Sequence, residues 1–171
     1  MNDLMEERLA ETLVAIFDDL FEESVTTVLR GGADEPFYEP GSPAMVWFRY
    51  HYPRSALHEI SHWCLAGESR RRLPDYGYWY APEGRNGAQQ AAFFAVEVKP
   101  QAIESLFCKA LGIPFDVSID NLDSPPASKE VVAFRRRVVA QSAQFRSRGL
   151  PHRAQQFLSR LQVLKSEEKV A

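Results

Sequence analysis

Apolar residues recur at helical spacing near the start of the chain. Met5, Leu9, Leu13, Ile16, Phe17 and Leu20 share one side while Glu6, Glu7, Glu11 and Asp18 take the other, which predicts an amphipathic helix. Residues 24–30 are β-branched and stop at Gly31-Gly32, the pattern of a strand followed by a turn. Pro36, Pro40, Gly41 and Pro43 predict a loop over 33–43, and the run AMVWFRY predicts a strand over 44–50. The spacing turns helical again over 54–66, with Ser55 placed to cap the start and Gly67 to close the end.

Beyond the basic run Arg70-Arg71-Arg72, the segment DYGYWY at 75–80 reads as an aromatic strand or hairpin arm. A loop with Pro82, Gly84, Asn86 and Gly87 leads into a long helical stretch over 88–112, with a bend allowed at Pro100 because proline removes a helical donor. Residues 114–127 look irregular and acidic. Two helices close the chain, one with Val131, Phe134, Val138, Ser142 and Phe145 on a face, the other with Ala154, Phe157, Leu158, Leu161 and Leu164; Gly149-Leu150-Pro151 separates them. There is no repeat, low-complexity tract or linker. The expectation is an α+β fold: a mainly helical single domain with a small β-sheet of about three strands.

Composition narrows the class. The chain has 171 residues, long enough for a sizeable core, and its 20 Lys and Arg against 23 Asp and Glu give a net charge of -3. That balance argues against a basic nucleic-acid binder. Two cysteines make no disulfide framework, and no run approaches the roughly 18–20 apolar residues of a membrane span. The acidic amphipathic start lacks the pattern of a signal peptide. A cytoplasmic protein, without nucleic acid or membrane as partner, is expected.

The chemistry concentrates in His58-Glu59-Ile60-Ser61-His62, an H-E-x-x-H motif that uses two of the four histidines. Histidines four apart on a helix project from one face, so their rings converge on one divalent ion. Glu59 lies about 100° further round the helix, in reach of a metal-bound water rather than of the metal. The helix is otherwise apolar (Leu57, Ile60, Trp63, Cys64), where histidines without a ligand would be costly to bury. The plainer alternative is a histidine pair that merely decorates a helix.

An open catalytic site needs a third protein ligand. Asp75, Glu83, Glu97, Glu104, Asp116, Asp120 and Asp123 are the candidates, and Glu97 is the best. It sits amid the apolar run AAFFAVEVKPQAI, where an unpaired carboxylate is expensive; the bland alternative pairs it with Lys99 or an arginine. Glu104, seven positions on, is the next choice. Cys64 is turned some 200° away from His62 and reads as a buried, reduced thiol. His58, His62 and Glu97 make a 2-His-1-carboxylate set that serves two chemistries. With zinc and Glu59 as base it hydrolyses peptides; with Fe(II) it leaves positions open for dioxygen and substrate.

The order HEISHWC, DYGYWYAPEGR, VEVKPQA and DNL, with DEPFYEP before and VVAFRRRVVAQ after, closely resembles the bacterial elongation factor P hydroxylase family over residues 30 to 165. The resemblance implies a non-haem, metal-dependent enzyme that hydroxylates the β-lysylated lysine of translation elongation factor P. It also implies a zincin-like arrangement around the H-E-x-x-H helix, in one hydroxylase domain (1–171) with the N-terminal helix and residues after about 165 peripheral. His58, His62 and Glu97 would then hold the metal, iron in preference to zinc, with Glu59 supporting the site or moving a proton and dioxygen as cosubstrate. No dinucleotide fingerprint is present and 2-oxoglutarate is not implied.

For the long cationic side chain of such a substrate, Asp75, Tyr78 and Asp120 are the candidate binding residues, with Asp116 and Asn121 as further polar contacts. Each has a structural alternative: a packed aromatic strand for 75–80, a turn or cap for Asp120-Asn121. The clusters at Arg70–Arg72 and 135–137 suit either an acidic protein surface or a solvated helix face. The competing functions are a zinc-dependent H-E-x-x-H metallopeptidase and a non-catalytic module with a structural metal, the latter closed by four protein ligands.

Overall fold

In the computed structural model of the chain, which describes residues 3–78, 87–119 and 128–168, the first helix outlasts its apolar pattern. This helix, α1 (Asp3–Val25), buries Ala10, Leu13, Ile16, Phe17 and Phe21 and takes in Ser24 and Val25, which their β-propensity assigned to a strand. The Ser24 hydroxyl donates to the Leu20 carbonyl at 2.6 Å, a bond to the preceding turn that helical backbone makes available. Thr26, at φ 52°, then ends the helix.

Strand β1 (Thr27–Ala33) runs through Gly31-Gly32 instead of stopping there. A Cβ on Gly31 would lie 2.7 Å from both the Phe48 ring and the Tyr50 carbonyl, and Gly32 has φ +96°. The two glycines therefore mark a bulge, seen as a register shift between Arg30 and Ala33. Strand β2 (Phe37–Glu39) lies within the predicted loop, wedged between Pro36 and Pro40. Strand β3 (Ala44–Arg49) is central: it pairs parallel with β1 and antiparallel with β2, in the order β1-β3-β2. Its Ala44, Val46 and Phe48 enter the core. Among the described residues the sheet thus has three strands, one of them β2 inside the expected loop.

Helix α2 (Pro53–Leu65) starts with Pro53 in its first turn, where a missing N–H costs nothing. Ser55 is not its cap; its hydroxyl accepts the Arg49 N–H at 2.9 Å and ties the helix to β3. Nor does Gly67 close it. The chain leaves at Ala66 in an extended conformation, and the Arg153 guanidinium donates to the carbonyls of Trp63, Cys64 and Ala66. Arg153 also lies 4.5 Å over the Trp63 ring, which is fully buried among Phe17 and Phe21.

After a short 3-10 turn at Arg70–Arg72, residues Pro74–Gly77 form a second tight turn rather than a strand. Asp75, Tyr76 and Gly77 all have left-handed backbones (φ 47°, 59° and 72°), which no strand accommodates. Helix α3 (Gly87–Leu111) carries Pro100 inside it, as the spacing predicts. It joins two apolar clusters. Ile103, Phe107, Cys108 and Leu111 face the main core, and Phe93, Phe94, Val98 and Ala102 pack with Val131, Phe134 and Val138 of α4 (Lys129–Arg148). Helix α5 (His152–Glu168) buries Ala154, Phe157, Leu158 and Leu161 in the main core. The architecture is α+β and mainly helical. No helix among the described residues is long and apolar enough to cross a membrane.

Candidate metal centre

Helix α2 packs against α3, and the polar residues that face each other there are few, buried on α3 and half-buried on α2. On α3 they are Glu97, Gln101 and Glu104, at helical positions i, i+4 and i+7, which stand in one row. His58 and His62 face that row from α2, their Nε2 atoms 3.1 Å apart. Glu97 reaches between them, 3.1 Å from His62 Nε2 and 3.6 Å from His58 Nε2. One ligand atom from each residue lies within 4.8 Å of the other two. Donors bound at about 2.1 Å to one ion stand about 3 Å apart, so this set fits a single divalent cation.

Glu104 is not part of that trio. Its Oε2 accepts from His58 Nδ1 at 2.9 Å, and its Oε1 accepts from Arg54 Nε at 2.8 Å. With Nδ1–H held by Glu104, Nε2 is the nitrogen that His58 turns toward an ion, the arrangement by which a carboxylate orients a metal-binding imidazole. Gln101 does the same for Glu97, donating to its Oε2 at 3.1 Å. Both supports are anchored to the chain that follows α3. Arg54 donates to the carbonyls of Pro114 and Asp116, and Gln101 exchanges hydrogen bonds with the Ser118 backbone.

The charges follow from this packing. Burial opposes a charge on His58, yet the Glu104 hydrogen bond and the carboxylates of Glu97, Glu104 and Glu59 outweigh it and push its pKa up to about 10. For Glu97, burial is again the largest single influence and is overcome by His62, His58 and Gln101, which hold its carboxyl down to about 2. Glu59 goes the other way: burial raises its pKa, so it holds a proton more readily than an exposed glutamate.

The trio and Glu59 line a cavity of about 580 Å³. Asp75 and Tyr78 border it as well, but both are already engaged. Asp75 Oδ1 accepts the Tyr38 N–H at 2.9 Å, which covers the open edge of β2, and the Arg70 guanidinium lies 4.1 Å over the Tyr78 ring. Asp120, Asn121, Asp123, Glu83, Trp79 and Tyr80 lie outside the described residues. Asp116 forms a two-pronged pair with Arg135 at 3.0 and 3.1 Å, away from the cavity lining. Within the basic runs, Arg70 donates to the Tyr76 carbonyl, Arg71 to that of Ala66, and Arg72 pairs with Glu68. Cys64 is buried and free, its thiol pushed up to about 12 by burial.

The H-E-x-x-H motif does not single out Arg54, Gln101 or Tyr76. Gln101 had a readable signal, because a polar residue one turn after Glu97 in an apolar run shares its face. Tyr76 had none, since its place depends on the left-handed turn.

Two comparisons bear on this site. The family model described as elongation factor P hydroxylase matches residues 16–171, beginning within α1. A protein of Haemophilus influenzae named elongation factor P lysine hydroxylase is 40% identical over 168 residues, covering 96% of this chain and 93% of that protein.

Proposed function

The chain belongs to the elongation factor P hydroxylase family, and on that footing we propose that it hydroxylates the β-lysylated lysine of translation elongation factor P in the cytoplasm. The proposed site is a non-haem iron centre held by His58, His62 and Glu97, in a zincin-like setting within one domain formed by the whole chain. The observation that supports it most is the convergence of three donor atoms on a cavity in a chain of this family. A facial set of two histidines and a carboxylate suits Fe(II), which when bound supplies the means to activate dioxygen.

The chain's own residues have separable tasks. Glu104 and Arg54 fix the His58 ring, and Gln101 fixes Glu97, so the ligand atoms are set before any ion enters. Glu59, whose raised pKa suits a carboxyl that gains and loses a proton, takes or returns one at the edge of the site. Asp75 and Tyr78, with Asp120, receive the cationic side chain of the substrate, Asp75 through the carboxylate oxygen that Tyr38 does not take and Tyr78 through the ring face opposite Arg70. One oxygen atom enters a C–H bond and the other leaves as water, so an external reductant completes the balance.

Mass measurement on β-lysylated elongation factor P tests the reading. Incubated with enzyme, Fe(II), a reductant and oxygen, the factor should gain one oxygen atom, and His58→Ala should abolish the gain. Tightly held zinc in anaerobically purified protein, with proteolysis and no oxygen gain, would instead establish a metallopeptidase. Full activity in His58→Ala would remove the metal assignment.

A further inference from the structure

Residues 113–119, which follow α3, form neither helix nor strand, and Ser118 among them borders the cavity. Backbone of this kind must find its hydrogen bonds outside regular structure. Here four of its groups rest on two side chains. Arg54 donates to the carbonyls of Pro114 and Asp116 at 3.2 and 3.1 Å, and its guanidinium lies 5.1 Å from the centre of the Phe115 ring. Gln101 donates to the Ser118 carbonyl at 2.8 Å and accepts the Ser118 N–H at 3.0 Å.

The same two side chains support the ion site. Arg54 donates through Nε to Glu104, which holds His58, and Gln101 donates to Glu97. Gln101 is fully buried, with its amide nitrogen shared between Glu97 and Ser118 and its oxygen given to Ser118. Neither side chain can shift at one end without giving way at the other. A further tie lacks this double character. Arg135 of α4 grips the exposed Asp116 side chain and makes no bond to the three ligands or their supports.

We propose that Arg54 and Gln101 are positioning residues that couple the ion to residues 114–118, so that this part of the cavity wall is fixed when the ion is bound. The inference rests on the metal centre proposed above. The ligand atoms are already spaced for an ion, so what binding removes is their remaining freedom. An ion that fixes His58 and Glu97 restricts Glu104, Arg54 and Gln101 in turn, and less freedom is left for the wall to lose when substrate settles on it. The coupling is reciprocal: an occupant that holds the wall in place tightens the ion by the same factor.

Amide hydrogen exchange of the full-length chain, metal-free and saturated with redox-inert Zn(II), tests this without substrate or turnover. Exchange over 115–118 should slow about fivefold or more on saturation, beyond the slowing in strand β1, which reports overall stabilisation by a bound ion. Arg54→Lys keeps a cation for Glu104 but lacks the fork that reaches two carbonyls besides. It should bind Zn(II) within about tenfold of wild type and lose most of the local, ion-dependent slowing. Gln101→Asn, too short to span Glu97 and Ser118, should lose it as well. Arg135→Ala should speed exchange over 115–118 in both states and keep the difference between them. With the β-lysylated factor, Arg54→Lys should raise KM more than it lowers kcat. Equal slowing of β1 and 115–118 in the wild type, or a local difference that persists in both Arg54→Lys and Gln101→Asn, overturns the inference and leaves the metal centre standing. A wild-type chain that binds no Zn(II) overturns the metal centre and the inference together.

Discussion

Two regular helices, α2 and α3, form one wall of the cavity, and a turn whose residues Asp75, Tyr76 and Gly77 are all left-handed contributes another. The helical wall pairs its polar side chains with one another. Glu104 takes His58 and Arg54, Glu97 takes His62 and Gln101, and Gln101 holds the Ser118 backbone. The turn wall is strained, at a cost of about 1–3 kcal/mol per residue for the non-glycine positions, and the described residues give the buried Tyr76 hydroxyl no partner. The difference is what two kinds of ligand require. An ion is bound by atoms already spaced for it, so its wall must be complete in the protein alone. A surface that only borders the cavity is under no such demand, and its shape is set by backbone and packing instead.

Breaking the helical wall should have the larger effect, and Glu104 is the place to do it. Glu104→Ala removes the acceptor of the His58 Nδ1–H and the Arg54 guanidinium while leaving all three proposed ligands in place. Losing such a support typically costs 10–100-fold in metal affinity. An anaerobic metal titration should show that loss. Unchanged affinity would mean that the His58 ring is oriented by α2 alone and that the wall is less interdependent than its hydrogen bonds suggest.

The two walls also differ in how far they were legible. The convergence of His58 and His62 was readable because helical periodicity converts spacing into direction, and Glu97 because a carboxylate in an apolar run needs a partner; the row Glu97, Gln101, Glu104 follows the helical rule again. Which nitrogen of His58 meets Glu104 depends on how α3 packs on α2, and no local pattern carries that. The turn wall misled for a local reason. The aromatic residues of 75–80 have high β-propensity, but Gly77 and the contacts of Tyr38 and Arg70 select a left-handed turn. Strand β2 stayed hidden because Pro36 and Pro40 frame it so closely, and the Gly31-Gly32 pair signalled a bulge where it suggested a turn. Capping by Arg153 comes from a distant helix and has no sequence signature near α2.

pH sharpens the contrast, with a smaller effect per step. In the metal-free protein His58 is raised to about 10, so an incoming ion must displace a proton at neutral pH. Metal affinity should therefore rise by about one decade per pH unit between about 7 and 10. Glu97, held at about 2, is already ionised there and adds no slope. The stability of the metal-free protein should move oppositely. A histidine whose folded pKa is raised contributes fully below its unfolded value near 6.5, and the contribution is lost as the pH climbs through about 10. Glu97 contributes above about 4.5 and loses its share as pH falls toward 2. Thermal midpoints of metal-free and metal-loaded protein should diverge from neutral pH upward; parallel curves would refute the proton displacement. On the turn wall, burial pushes the Tyr76 phenol far above its ordinary value, so it keeps its proton throughout.

The mildest perturbation aims at the turn wall and should leave the helical wall untouched. Gly77 has φ +72°, and an added Cβ would lie 2.8 Å from the tip of the Leu73 side chain. That tip is flexible and half-exposed, so it can yield; the backbone cannot. Gly77→Ala should lower stability by about 1–2 kcal/mol, the cost of a left-handed alanine. Because Gly77 touches none of the hydrogen bonds that set His58, His62 and Glu97, metal affinity should stay within about twofold of wild type, as expected for distant, independent sites. Denaturant unfolding of the metal-free protein gives the first quantity and a metal titration the second. A drop in both would show that the turn helps to shape the ion site, and the division of labour between the walls would have to be abandoned. A drop in stability alone would place the strain where the backbone puts it, in the turn and apart from the ion site.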